Sequence, residues 1–221
     1  MLAATRVFGA LDRRSLLSLA EISRQRTHGR GQYLWYQGDP GDHLAVVCTG
    51  LVKVVLTSEQ GEEVVLVTLG PHEIVGELAM LDGLPRSASV VAVESTTVLI
   101  LPRAAVLGLM GTHPEVLDAV LRSLGQLVRR LTDQTGGLVF LDLPSRIAKV
   151  LLQLARTHAR DDHRVVLDVG LSQSDIAAMV GATRPAVNRI LQGFASRGLI
   201  SVDGRVIVLR DPSALRRRAG S

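Results

Sequence analysis

One cysteine, Cys48, stands in 221 residues. A lone thiol excludes an intrachain disulfide and any cysteine-ligated iron–sulfur cluster, and it fits a reducing compartment. The six histidines, His28, His43, His72, His113, His158 and His163, show no metal-ligand spacing. No Ser/His/Asp or Cys/His arrangement is evident, so neither an enzyme nor a metal protein is expected. No run reaches the roughly 18 apolar residues of a membrane span, and the start, MLAATRVFGALDRR, lacks the apolar centre of a signal peptide. A cytoplasmic protein without a membrane partner is the expectation. Aromatics are only 3%, yet 47% of residues are hydrophobic, enough to build buried cores. The length suits one large or two modest domains.

Charge is present but unevenly spread. Residues 141–221 carry thirteen basic and seven acidic side chains, a net of +6, whereas residues 1–140 net −2. A basic C-terminal third suggests a polyanion partner there. The plain alternative is a solvated tail, since Arg216, Arg217 and Arg218 supply half of that excess.

Three textures follow one another. DRRSLLSLAEISR, 12–24, has helical spacing. From about Thr27, short Val/Leu/Tyr runs alternate with turn signals (QGDPGD, TG, SEQGEE, GPHE), the pattern of an antiparallel sandwich or barrel. Leu51–Thr57 and Glu63–Leu69 read as a hairpin, and ASVVAVESTTVLILP as another strand pair closing the roll. Pro102 ends the last strand and opens a short helix. Pro114 begins the longest helical pattern. Leu117, Leu121, Leu124, Val128, Leu131, Thr135 and Leu138 form a seam of alternating four- and three-residue steps. So narrow a stripe suits a parallel partner helix; the alternative is packing on its own domain. Gly136 and Gly137 follow the polar Thr135. Two glycines weaken a helix by about 2 kcal/mol relative to alanines, so a ligand or partner there could decide whether the helix end forms. Leu143–Pro144 breaks the pattern. The expected divisions are 1–113, 114–140 and 141–221, with a new helix from Ser145 to about His158 and a loop at RDDHR, 160–164.

The third part carries SQSDIAAMVGATRPAVNRILQGFASRGLI. Ser172 can cap a helix with Asp175 as its partner. Ala177, Gly181 and Val187 supply the small residue, the bend and the inward apolar side chain of two steeply crossing helices. That is a helix-turn-helix. The candidate DNA-contacting residues are Ser172, Gln173, Thr183, Arg184, Asn188, Arg189 and Gln192, polar groups suited to phosphates and base edges. ISVDGRVIVL adds a hairpin turning at Asp203-Gly204, the wing of a winged helix.

GELAMLDGLPRSAS, Gly76 to Ser89, sits inside the Val-rich part. Arg86 offers a planar fork to a phosphate, Ser87 a hydroxyl, and Glu77 an acceptor for a ribose hydroxyl. The alternative is a surface loop with an Arg86–Glu77 salt bridge of little weight.

These residues resemble the phosphate-binding cassette of cyclic-nucleotide-binding domains, and the whole chain resembles the cyclic AMP receptor/FNR (Crp/Fnr) family. FLDLPSRIAKVLLQLA and VGATRPAVNRIL are similar to that family's hinge and recognition segments. The resemblance implies an α+β fold: an N-terminal jelly-roll-like β-roll, a long dimerisation helix and a C-terminal winged helix-turn-helix. It implies cyclic AMP as effector, double-stranded DNA as partner, a homodimer through residues 114–140, and a contact with RNA polymerase. Carried over by position, Arg86, Ser87 and Ala88 hold the cyclic phosphate. Glu77 takes the ribose 2′-hydroxyl, Gly76 and Leu78 shape the pocket, Arg130 pairs with Glu77 or approaches the ligand, and Gln134 and Thr135 meet the adenine. A haem-sensing relative would need an axial ligand. His72 lies near the cassette but reads as a surface histidine. The recognition helix departs from the family's Ser-Arg-Glu-Thr opening. It begins Thr183-Arg184-Pro185-Ala186, so Pro185 removes a base acceptor and the half-site should differ there. Gln134-Thr135 likewise replaces a Thr-Ser pair.

Overall fold

A computed structural model describes residues 1–158, 165–167 and 171–220; the expected loop at 160–164 lies outside them. The chain forms two compact units, Met1–Leu131 and Thr132–Ser221. The boundary between them falls within the long helix Pro114–Phe140.

In the first unit, α1 (Arg13–Glu21) starts where the Asp12 carboxylate accepts the Ser15 N–H at 2.7 Å. Then follow β1 (Arg24–His28), β2 (Tyr33–Trp35), β3 (His43–Thr49), β4 (Val52–Thr57), β5 (Glu63–Leu69) and β6 (Ile74–Val75). After these come α2 (Glu77–Asp82), β7 (Ser89–Ala92), β8 (Thr96–Pro102), α3 (Arg103–Thr112) and α4 (Pro114–Phe140). Two four-stranded antiparallel sheets result, β1-β8-β3-β6 and β2-β7-β4-β5. The β4–β5 hairpin forms as expected, from Val52 opposite Leu69 to Thr57 opposite Glu63. The expected β7–β8 pair does not. The two strands lie in different sheets, because the chain turns over at Thr96, whose buried hydroxyl bonds the Leu51 and Glu94 carbonyls and accepts the Leu51 N–H.

Strand β3 shows how the roll is built. Ala45 and Val47 face its interior with Trp35, Val52, Leu69, Val75, Val90 and Val98. Leu44 and Val46 face a helical cap with Phe8, Leu19, Val106, Val116 and Val120. A strand buried on both faces loses polar alternation and becomes the apolar run LAVV. The cap takes Val116, Val120 and part of Leu124 from α4. It leaves Leu117, Leu121, Val128, Leu131 and Leu138 exposed.

In the second unit, α5 (Leu143–His158) begins two residues before Ser145. Pro144 is harmless in a first turn, which has no intrahelical partner for the missing N–H, and Asp142 accepts the Ser145 N–H at 2.9 Å. The remainder is β9 (Val165–Leu167), α6 (Gln173–Val180), α7 (Arg184–Ser196), β10 (Ile200–Asp203), β11 (Val206–Leu209) and α8 (Pro212–Arg218). The wing is a three-stranded sheet, β10-β11-β9. Asp203 pairs with Val206, so the turn is Gly204-Arg205, one residue later than the sequence suggests. The arginine-rich end is anchored in part, with Arg216 and Arg217 exposed. Leu215 of α8 is fully buried, and Arg218 binds Asp142 at 2.6 Å and the Ser145 hydroxyl at 2.9 Å. Among the described residues no single helix is long and apolar enough to cross a membrane.

Candidate functional site

The cassette opens with Gly76 at φ 93°, a left-handed cap for α2. A Cβ here would stand 2.5 Å from Nη1 of Arg86 and 3.2 Å from the Trp35 ring. Glycine is therefore required twice, by backbone conformation and by the close approach of Arg86.

Arg86 is only 3% exposed. Its N–H and C=O lock onto Asp39 and Gly38, at 2.8 and 2.9 Å. Its Nη1 donates to the Gly76 carbonyl at 3.2 Å, and its Nη2 to the His43 carbonyl at 2.6 Å. The guanidinium carbon lies 4.0 Å from the centre of the Trp35 ring. The Nε is buried with no hydrogen-bond partner. Burial pulls the Arg86 pKa below its ordinary value, against the opposing charges of Asp42, Asp39 and Glu77. A buried cation with an unspent donor is poised for an anion.

Glu77 is the first residue of α2. Loss of solvent raises its carboxyl pKa. The backbone N–H groups of Glu77 and Gly76 and the charges of Arg130 and Arg86 oppose that rise without cancelling it. One of those opposing charges is Arg130 of α4, whose own Nε is buried with no hydrogen-bond partner. Ser87 and Leu78 are exposed and Ala88 is buried. Gln134, half-buried, and Thr135, exposed, lie one turn beyond Arg130 on the same helix, in the second unit. His72 is an exposed turn residue with φ 73°; its N–H donates to Val47.

Sequence reasoning missed Trp35 and His43. Trp35 comes to Arg86 because β2 pairs with β7, where Trp35 sits opposite Val90, four residues after Arg86. No spacing rule links those positions.

The second unit assembles the other site. Ser172 and Asp175 form a reciprocal capping box on α6, and Gly181 takes φ 61° at the bend. Thr183 caps α7 without using its hydroxyl. Thr183, Arg184, Arg189 and Gln192 are exposed. Asn188 is not, contrary to expectation. It is half-buried and its amide donates to Gln173 at 2.7 Å, so these two expected DNA contacts hold each other across the two helices.

Comparison with known proteins agrees with this division. Residues 25–113 match the cyclic nucleotide-binding domain and residues 145–218 the Crp-like helix-turn-helix domain. The CRP-like cAMP-activated global transcriptional regulator of Mycobacterium tuberculosis is 32% identical over 222 residues, covering 99% of this chain and 98% of that protein. The cyclic AMP receptor protein of Thermus thermophilus is 32% identical over 199 residues, 90% of this chain and 89% of its own. The structure of FixK2 from Bradyrhizobium japonicum superposes with a TM-score of 0.82 at 20% identity, covering 90% of this chain and 98% of that one. A roll carrying a buried arginine, a long helix and a winged helix-turn-helix, in this order and over this length, leave one assignment: the chain belongs to the Crp/Fnr family of transcription regulators, with a cyclic nucleotide-binding domain and a Crp-like DNA-binding domain.

Proposed function

We propose that this regulator is a homodimer switched by cyclic AMP. The observation that carries the reading is Arg86, a buried guanidinium with an unspent Nε beside the desolvated carboxyl of Glu77. The cyclic phosphate takes Arg86, Ser87 and the backbone at Ala88. The ribose hydroxyl takes Glu77, while Gly76 and Leu78 bound the pocket. Arg130 neutralises Glu77 from α4, and Gln134 and Thr135 receive the base. The exposed stripe Leu117, Leu121, Val128, Leu131 and Leu138 supports pairing of two α4 helices. Ligand at the far end of that pair orders a helix weakened by Gly136 and Gly137. The two α7 helices are thereby set about one DNA turn, ~34 Å, apart. Thr183, Arg184, Arg189 and Gln192 then reach the duplex, with Ser172, Gln173 and Asn188 supporting. Contact with RNA polymerase, in the cytoplasm, completes the role.

Coupling of about 1–3 kcal/mol is typical for such switches, and it is reciprocal. Cyclic AMP titrated by calorimetry should bind at least fivefold tighter when operator DNA is present; equal affinities would rule out the switch. Arg86→Ala should abolish nucleotide binding with the fold intact.

A second reading replaces cyclic AMP with another nucleotide. It is favoured by the Gln134-Thr135 pair, which presents an amide where a hydroxyl is usual. The structure of the c-di-GMP responsive regulator CLP of Xanthomonas campestris shares this fold, with a TM-score of 0.78 at 23% identity. A nucleotide panel in the same calorimeter separates the two.

A further inference from the structure

We infer that Trp35 is a positioning residue of the anion site, acting through Arg86. The inference rests on the cyclic-nucleotide reading above and goes beyond it, because the cassette residues alone do not account for how Arg86 is held.

A guanidinium has five N–H donors in one plane. In Arg86 two are spent on fixed carbonyls, those of Gly76 and His43. Those bonds set two corners of the fork but leave the plane free to tilt about the line between them. The Trp35 ring, 4.0 Å from the guanidinium carbon, removes that freedom. It presents its negative face to a cation taken out of water, where such an interaction is strongest. Trp35 is itself held. It is 6% exposed in the roll core and meets His43 edge-on, with ring centres 5.5 Å apart at 80°. Gly76 closes the arrangement, since a Cβ would strike Arg86 at 2.5 Å and crowd Trp35 at 3.2 Å. What remains is the Nε and its neighbouring protons, a donor edge of fixed direction. A phosphate oxygen pair takes such an edge without first ordering the side chain, and that saving is affinity.

Trp35 is also the chain's one tryptophan, so the emission comes from this position alone. The test compares wild type, Trp35→Phe and Trp35→Leu. Each is titrated with cyclic AMP by calorimetry, with thermal unfolding measured in its absence and wild-type emission followed during titration. Trp35→Phe keeps an aromatic face and should bind within about threefold of wild type; Trp35→Leu should lose about tenfold or more. Wild-type emission should change and saturate at the calorimetric midpoint. Equal affinity of a folded Trp35→Leu protein, or emission indifferent to bound nucleotide, overturns the inference and leaves the ligand reading standing. If Trp35→Leu does not fold, Trp35→Phe and the emission titration still decide, since a tenfold loss in the phenylalanine variant would also sink the idea. Wild type that binds no cyclic nucleotide overturns the ligand reading, and the inference with it.

Discussion

Replacing Gly76 with alanine puts the pocket's geometry under direct test. Two costs arise. A left-handed conformation costs a residue with a Cβ about 1–2 kcal/mol, and Gly76 has φ 93°. The new Cβ would also lie 2.5 Å from Arg86 Nη1 and 3.2 Å from Trp35. Arg86 cannot simply swing away, because it is buried and tied to the His43 carbonyl at 2.6 Å. Losing one hydrogen bond from a charged donor costs about 1.5–3 kcal/mol. The sum is about 2.5–5 kcal/mol, which at this size lowers the unfolding temperature by roughly 5–20 °C. Gly61→Ala is the control. Gly61 has φ 80° in the β4–β5 loop with nothing within 4 Å of an added Cβ, so it carries the backbone cost alone. It should lose about 2–8 °C and keep full nucleotide affinity, whereas Gly76→Ala should lose at least tenfold. Scanning calorimetry and ligand titration of both variants give the answer. Equal destabilisation, with Gly76→Ala still binding normally, would refute the argument that Arg86 and Trp35 require this glycine.

Three further outcomes follow from the same geometry. Burial holds the Glu77 pKa above its ordinary 4.5, so the stabilising neutral form is complete below pH 4.5 and is lost as pH rises through the raised value. Glu77→Gln should therefore be more stable than wild type at pH 7, with the gap closing toward pH 4.5, and should bind cyclic nucleotide more weakly; denaturant unfolding at both pH values checks this, and a pH-independent gap argues against it. The Asp142 carboxyl is lowered from 3.8 to about 2, first by its hydrogen bonds with Ser145 and then by that with Arg218. The α5–α8 link should be intact above pH 3.8 and fade as pH falls toward 2, and Asp142→Asn should flatten that part of the stability profile. Gly136 has nothing within 4 Å of an added Cβ. Gly136→Ala should stabilise α4 by about 1 kcal/mol and raise DNA affinity without ligand, measured by fluorescence anisotropy; unchanged affinity would detach the helix end from the switch.

What the sequence determined by itself were features written in local chemistry. Turn residues at regular intervals marked the roll, a four-and-three step of leucines marked α4, and Ser172 and Gly181 marked the cap of α6 and the bend that follows it. Each signal lies within a few residues of the structure it specifies. Tertiary structure decided the rest. Strands β7 and β8 share one Val-rich stretch, yet go to opposite sheets, because the turn between them is set by Thr96 bonding to Leu51, 45 residues away. Asn188 is a polar residue on a recognition helix, but Gln173 claims its amide, a pairing that exists only once the two helices cross. The C-terminal arginines read as a surface for a polyanion, or else as a solvated tail; that Arg218 bonds Asp142, 76 residues earlier, shows only in the fold. Trp35 and Arg86 are the sharpest case. One aromatic and one cation, 51 positions apart, meet through a sheet pairing that neither encodes. Short-range propensity leaves its mark in the order of residues, while long-range pairing depends on which surfaces the folded chain has left to bury.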